Sequence, residues 1–192
     1  MSSTKLLLEN NHGVLLYKKD FNQESNWRTD DCYKFIYSLQ GNIDYQTNRN
    51  QITLNDKQFI LFNPEDEHKQ LAIDDSKFLI ELNSSFINEI SQSLYPVHHD
   101  IQFATSTQKN TQISSWVNFV LDFVRLEKDD IRSMEIFLEH SFTQLAILIL
   151  KSAIGTHTQD INLNNYETID PQIHKTIQAL KEDYQHSWSL DE

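Results

Sequence analysis

The spacing of apolar residues changes near residue 83, and no all-β or all-α fold accommodates both patterns. Before that point the period is two. Tyr33, Phe35, Tyr37 and Leu39 alternate with Lys34, Ile36, Ser38 and Gln40, which turns one side of a strand inward. Gly41-Asn42 predicts a turn into a second alternating stretch at 43–47, and hence a hairpin. Asn48-Arg49-Asn50 marks a further turn. Ile52 and Leu54 lead to the run Phe59-Ile60-Leu61-Phe62, stopped by Asn63-Pro64. The apolar run 13–17 and the stretches 68–73 and 78–82 add strands, the last two separated by Asp74-Asp75-Ser76. Short strands at near-regular spacing with polar turns predict a sandwich or barrel over 12–83.

Beyond residue 83 the period becomes helical. A helix is expected over 85–94, stopped before Pro96. Another is expected over 111–126, with Ile113, Val117, Val120 and Val124 on one stripe. The longest spans 131–153 and carries Ile131, Met134, Leu138, Leu145 and Leu148 at near-heptad spacing. Phe137, Phe142, Ile147 and Ile149 fall outside that stripe, so this helix has apolar residues on more than one face. An antiparallel helix pair follows, with one face on the barrel and the Ile131–Met134–Leu138–Leu145–Leu148 stripe open to a second subunit; the other reading makes all of it internal core. The segment 155–168 is polar and aperiodic, as a linker is. From Asp170, an N-cap followed by Pro171, Ile173, Ile177, Leu180 and Tyr184 outline an amphipathic helix. Ser189 and Glu192 then form a capping box, the opening of another helix, so the sequence reads as a piece of a longer protein.

Composition excludes several functions. With 28 acidic and 16 basic residues the formal net charge is −12, which repels a phosphate backbone. Three glycines leave no material for a phosphate-cradling loop. No stretch reads as a membrane span or signal peptide, and the lone Cys32 fits a reducing cytoplasm, where the protein is expected. Cys32 lacks cationic sequence neighbours that would activate it as a nucleophile, and no G-x-S-x-G elbow is present.

The order of these elements resembles the AraC family of bacterial transcription regulators, over essentially the whole chain. FIYSLQG (35–41) followed by FILFNPEDEH (59–68) is similar to that family's cupin-type sensor domain, and IHKTIQALKEDYQHSWSLDE (173–192) to the start of its DNA-binding domain. The chain departs from the pattern at Glu65 and within Asn55-Asp56-Lys57-Gln58, where the family often has glycine. The resemblance implies an α+β fold: a cupin-like antiparallel β-barrel sensor (1–96), a helical dimerisation region (97–153), a linker (154–169) and the start of a helix-turn-helix domain (170–192). It implies a homodimer that senses a small-molecule effector or regulatory protein and meets DNA only through a reading helix that this chain does not carry.

Two other readings are a cupin-fold enzyme and a stand-alone binding adaptor. The enzyme is disfavoured because a metal-dependent cupin needs several histidines with a carboxylate, and none lies between His12 and His68. No metal or other cofactor is expected. Small barrels hold one small ligand, and the candidates to contact it are Trp27, Arg28, Tyr33, Tyr37, Tyr45 and His68. The aromatics offer stacking faces, and Arg28 suits a carboxylate or phosphate.

Overall fold

The computed structural model describes residues 4–19, 25–95, 101–127 and 130–152. Eight strands lead into three helices among them. The strands are β1 (Thr4–Asn10), β2 (Gly13–Lys19), β3 (Cys32–Gln40), β4 (Ile43–Thr47), β5 (Gln51–Leu54), β6 (Phe59–Phe62), β7 (His68–Ile73) and β8 (Ser76–Asn83). The helices are α1 (Ser84–Leu94), α2 (Thr111–Leu126) and α3 (Ile131–Ser152). The sequence pattern places all three helices, and misses β1. The α+β architecture is the expected one.

Every strand pairing is antiparallel, in a five-stranded sheet of order β1-β2-β8-β3-β6 and a three-stranded sheet of order β5-β4-β7. The expected hairpin between 33–40 and 43–47 does not form. Gly41, at φ +76°, turns the chain out of one sheet into the other, so β3 pairs with β6 and β8 while β4 pairs with β5 and β7. Short local alternation cannot distinguish a hairpin from such a corner.

Two apolar clusters result. Between the sheets lie Ile36, Ile43, Tyr45, Ile52, Leu54, Ile60, Phe62, Ile73 and Leu79, the barrel interior. The other side of the five-stranded sheet carries Tyr33, Phe35, Tyr37, Leu61, Phe78 and Ile80, covered by all three helices. Strand β3 is therefore buried on both faces from Tyr33 to Ser38. The barrel and the helices share that second core and belong to one compact unit, Met1–Thr158. The expected linker (154–169) and C-terminal segment (170–192) lie outside the described residues.

Local chemistry sets the helix starts. Asn110 caps α2, its side chain accepting from the N–H groups of Gln112 and Ile113. Asp130 does the same for the N–H of Ser133 at the start of α3. By length and composition alone α3, 22 residues with an 18-residue window of mean hydropathy 1.2, is long and apolar enough to cross a membrane, where the sequence reading expects no span. Here it packs Met134, Leu138, Phe142, Leu145, Ala146 and Ile149 into the helical core, which accounts for its apolar character.

The two positions where glycine is absent keep the backbone that glycine favours. Lys57 has φ 60° and Glu65 has φ 64°, both left-handed. The two turns hold this backbone in spite of their side chains, at about 1 kcal/mol each.

Candidate functional site

Alternation along β3 and β8 decides what enters the barrel. The even residues of β3 (Lys34, Ile36, Ser38) and the odd residues of β8 (Lys77, Leu79, Glu81) share one face, with Lys34 directly across from Glu81 and Ser38 from Lys77. Ile36 and Leu79 belong to the interior cluster, so this is the interior face. The barrel thus encloses two lysines, Lys34 at 0% and Lys77 at 4% exposure, with His68 at 1% and Gln70 at 7%. Charged groups in such surroundings are held only by partners.

Lys34 has them. Its Nζ lies 2.5 Å from Asp30 Oδ2 and 3.1 Å from Glu81 Oε1. Burial alone would raise the Asp30 pKa, but the adjoining Lys34 ammonium outweighs it, with help from Arg28, and holds the carboxyl below its ordinary value. Arg28 Nε lies 3.6 Å from the same oxygen. His68 faces this group: Nε2 is 3.7 Å from Asp30 Oδ2, while Nδ1 lies 2.8 Å from the Asp66 carbonyl. That carbonyl can only accept, so Nδ1 carries a proton, and Nε2 meets no hydrogen-bond partner among the described residues. The ring stacks on Phe62 at 4.4 Å, and burial holds its pKa below the usual histidine value.

Lys77 is different. Its Nζ donates to Gln70 Oε1 at 2.5 Å and lies 3.3 Å from the Tyr45 hydroxyl, both neutral groups. Among the described residues no carboxylate lies within ion-pair distance of it. Burial, reinforced by Lys18 across the β2–β8 ladder and by Arg28 and Lys34, brings its pKa down to about 7. Burial likewise pushes the Tyr45 hydroxyl up. The interior therefore holds one ammonium paired with carboxylates and one poised between charge states at neutral pH.

The residues expected to contact a ligand divide. Tyr45 and His68 are in the interior. Arg28 reaches its edge, its backbone bridged to that of His68 through two 3.1 Å hydrogen bonds. Trp27 is exposed. Tyr33 and Tyr37 stand on the opposite face of β3, among the helices; the Tyr33 hydroxyl donates to the Ile101 carbonyl at 2.8 Å and its ring meets Phe103 edge-on. They are core residues of the helical side, because the helices cover the face that the alternation marked as inward. Missed were Lys34, Gln70, Lys77 and Glu81. The signal is clear only at Lys34 and Glu81, charges flanked on both sides by apolar residues, whereas Gln70 follows Lys69 and Lys77 follows Ser76.

A half-open cavity of about 540 Å3 adjoins the interior, lined by Thr47, Arg49, Asn63, Asp66, Phe103 and Thr105 among others, with Phe62 at its floor. None of the six expected ligand residues lines it. Its polar groups are largely occupied: Asp66 Oδ2 accepts from the Asn63 backbone and side chain and from Thr105, and Asn63 also bonds the Phe103 backbone both ways.

The donor set does not suit the metal that many cupin barrels hold. Among the described residues no three His, Cys, Asp or Glu side chains converge for one. Where His68 Nε2 faces Asp30, the Lys34 ammonium already supplies the positive charge and would repel a cation.

Of the residues expected at a subunit interface, Met134, Leu138 and Leu145 are buried in the helical core and Leu148 packs against it. Only Ile131 is open, at 74% exposure. The near-heptad stripe is the intramolecular seam of α3.

No family model and no curated protein matches the sequence. Among solved structures, the AraC-like transcriptional activator CuxR aligns at 9% identity and TM-score 0.57, over 91% of this chain and 69% of its own. A cupin-2 domain protein from Shewanella frigidimarina aligns at 20% identity and TM-score 0.37, over 42% of this chain and 79% of its own. A cupin superfamily protein from Desulfitobacterium hafniense aligns at 11% identity and TM-score 0.39, over 43% of this chain and 79% of its own. What this chain has in common with the AraC-like activator, over nine-tenths of its length, is the fold.

Proposed function

We propose that this chain is the effector-sensing and dimerisation part of an AraC-type transcription regulator, acting in the cytoplasm. The observation that carries the proposal is the extent of the likeness to the AraC-like activator, 91% of this chain. The barrel interior suits a binding role, since Lys34 pairs with Asp30 and Glu81 while Lys77 is left with neutral partners and could meet a charged ligand. A small-molecule effector would meet Lys77, Gln70, Tyr45 and His68 there. The ligand biases one barrel state, and the helices packed on the β3–β8 face carry that bias toward a DNA-reading domain following the linker. A homodimer belongs to this proposal, with only Ile131 of the expected stripe available to it.

The test has two arms. A thermal-shift screen of small metabolites against the chain should find compounds that raise Tm, and Lys77→Met should abolish that shift while remaining folded by circular dichroism. Fluorescence anisotropy with labelled duplex DNA at physiological salt should show no binding by the chain alone. Tight duplex binding, or a coding region after Glu192 lacking a basic helix-turn-helix, would overturn the regulator reading. Ligand-induced shifts that survive Lys77→Met and Tyr45→Ala would overturn the assigned contact residues.

A further inference from the structure

The five-stranded sheet ends on β1, whose outer edge pairs with nothing among the described residues. A free edge presents unpaired N–H and C=O groups and is a template for another strand. Three features single this one out. Leu7 is 51% exposed at the middle of the strand, while Leu6 and Leu8 turn to the helical side. Beside the strand lies a largely apolar groove of about 280 Å3, lined by Leu6, Leu7, Leu8, Val124, Ile131, Met134 and Leu138 together with Glu9 and Glu135, and Ile131 is left largely in solvent. The third is the sequence of the strand itself, TKLLLEN.

That sequence is complementary to its own reverse. In an antiparallel pairing centred on Leu7, position 5 stands opposite position 9 of the other copy, position 6 opposite 8, and position 4 opposite 10. Lysine then faces glutamate twice, leucine faces leucine three times, and threonine faces asparagine at both ends. A pairing shifted by two residues loses these matches and sets leucine against charge. Opposite charges and apolar pairs directly across a ladder each stabilise it by about 0.2–1 kcal/mol.

The geometry points to a second copy of this chain as the occupant of this edge: two β1 strands pair antiparallel about Leu7, joining the two five-stranded sheets into one, with Ile131 of each copy closing over the groove. Such a contact is isologous and closes as a two-fold dimer. The inference rests on the proposal that the chain is a dimer, and not on its sensing role. The outer face of α2 and α3, with Phe119 and Ile136 exposed, is the competing surface.

Sedimentation across a concentration series distinguishes them, using the full chain. Wild type should show a reversible monomer–dimer equilibrium. Glu9→Lys places lysine opposite lysine twice by symmetry and should raise the dimer Kd about tenfold or more. Lys5→Glu combined with Glu9→Lys restores the opposition of charges and should return Kd to within about threefold of wild type. Ile131→Glu should weaken the dimer, and Ile136→Glu should leave it unchanged. A chain monomeric at every concentration overturns the inference, as does a charge-swapped double variant no tighter than Glu9→Lys. So does a dimer lost in Ile136→Glu yet indifferent to Glu9→Lys. Ligand-induced thermal shifts in Glu9→Lys should match wild type, so the dimer edge and the effector-sensing proposal fail separately.

Discussion

The two faces of β3 differ more than their sequence suggests. Its odd residues, Tyr33, Phe35 and Tyr37, join a dry aromatic and aliphatic layer beneath the helices. Its even residues, Lys34, Ile36 and Ser38, enter a barrel that also encloses Lys77, His68 and Gln70. The first face does what a core does: it excludes water and pins the helices to the sheet. The second carries buried charge whose removal from water is costly, offset at Lys34 by two carboxylates and at Lys77 only by neutral groups. A barrel selected for stability alone would fill those positions with leucine or methionine. The charge inside the barrel is therefore held at the expense of stability.

The contrast can be broken by substitution. The largest effect is expected on the helical face, where Phe35→Ala should cost about 3–5 kcal/mol by urea denaturation, because the cavity opens in a packed layer. A smaller effect of opposite sign is expected inside the barrel. Lys77→Met at pH 7 keeps the volume and removes the desolvation cost, and should stabilise the chain by about 1–3 kcal/mol. If Lys77→Met instead costs as much as Phe35→Ala, the two faces are alike and the contrast fails. The smallest effect belongs to the turns: Glu65→Gly and Lys57→Gly relieve the left-handed backbone and should each stabilise by at most about 1 kcal/mol, partly offset by the freer unfolded chain. A loss of stability at either would show that the side chain holds its turn.

The same contrast explains what the sequence revealed. Long, strongly periodic stretches were legible: α2 falls at 111–126 as expected, and α3 begins at Ile131. The two-residue period of β3 correctly grouped Tyr33, Phe35 and Tyr37 on one side. It could not say which side the barrel occupies, because helices distant in sequence cover the aromatic face, and a lysine between aromatics reads as solvent-facing when its counter-charges lie at Asp30 and Glu81. Hence the alternation points Tyr33 and Tyr37, and not Lys34, toward a ligand. The stripe Met134–Leu138–Leu145 was legible as a seam, but periodicity does not name the partner, and the chain itself supplies it through α2 and the sheet. Corner turns such as Gly41 and the edge strand β1 depend on tertiary pairing, which local pattern does not contain.

The most direct measurement is the pH dependence of unfolding free energy for wild type and Lys77→Met. Below its folded pKa of about 7 Lys77 is charged in both states, and the burial cost is fully present. Between about pH 7 and the ordinary lysine pKa of about 10.4, the folded state sheds the proton while the unfolded state keeps it. Wild-type stability should therefore gain a component that rises across that window, and Lys77→Met should lack it. Parallel profiles for the two proteins would contradict a buried, uncompensated lysine in the barrel.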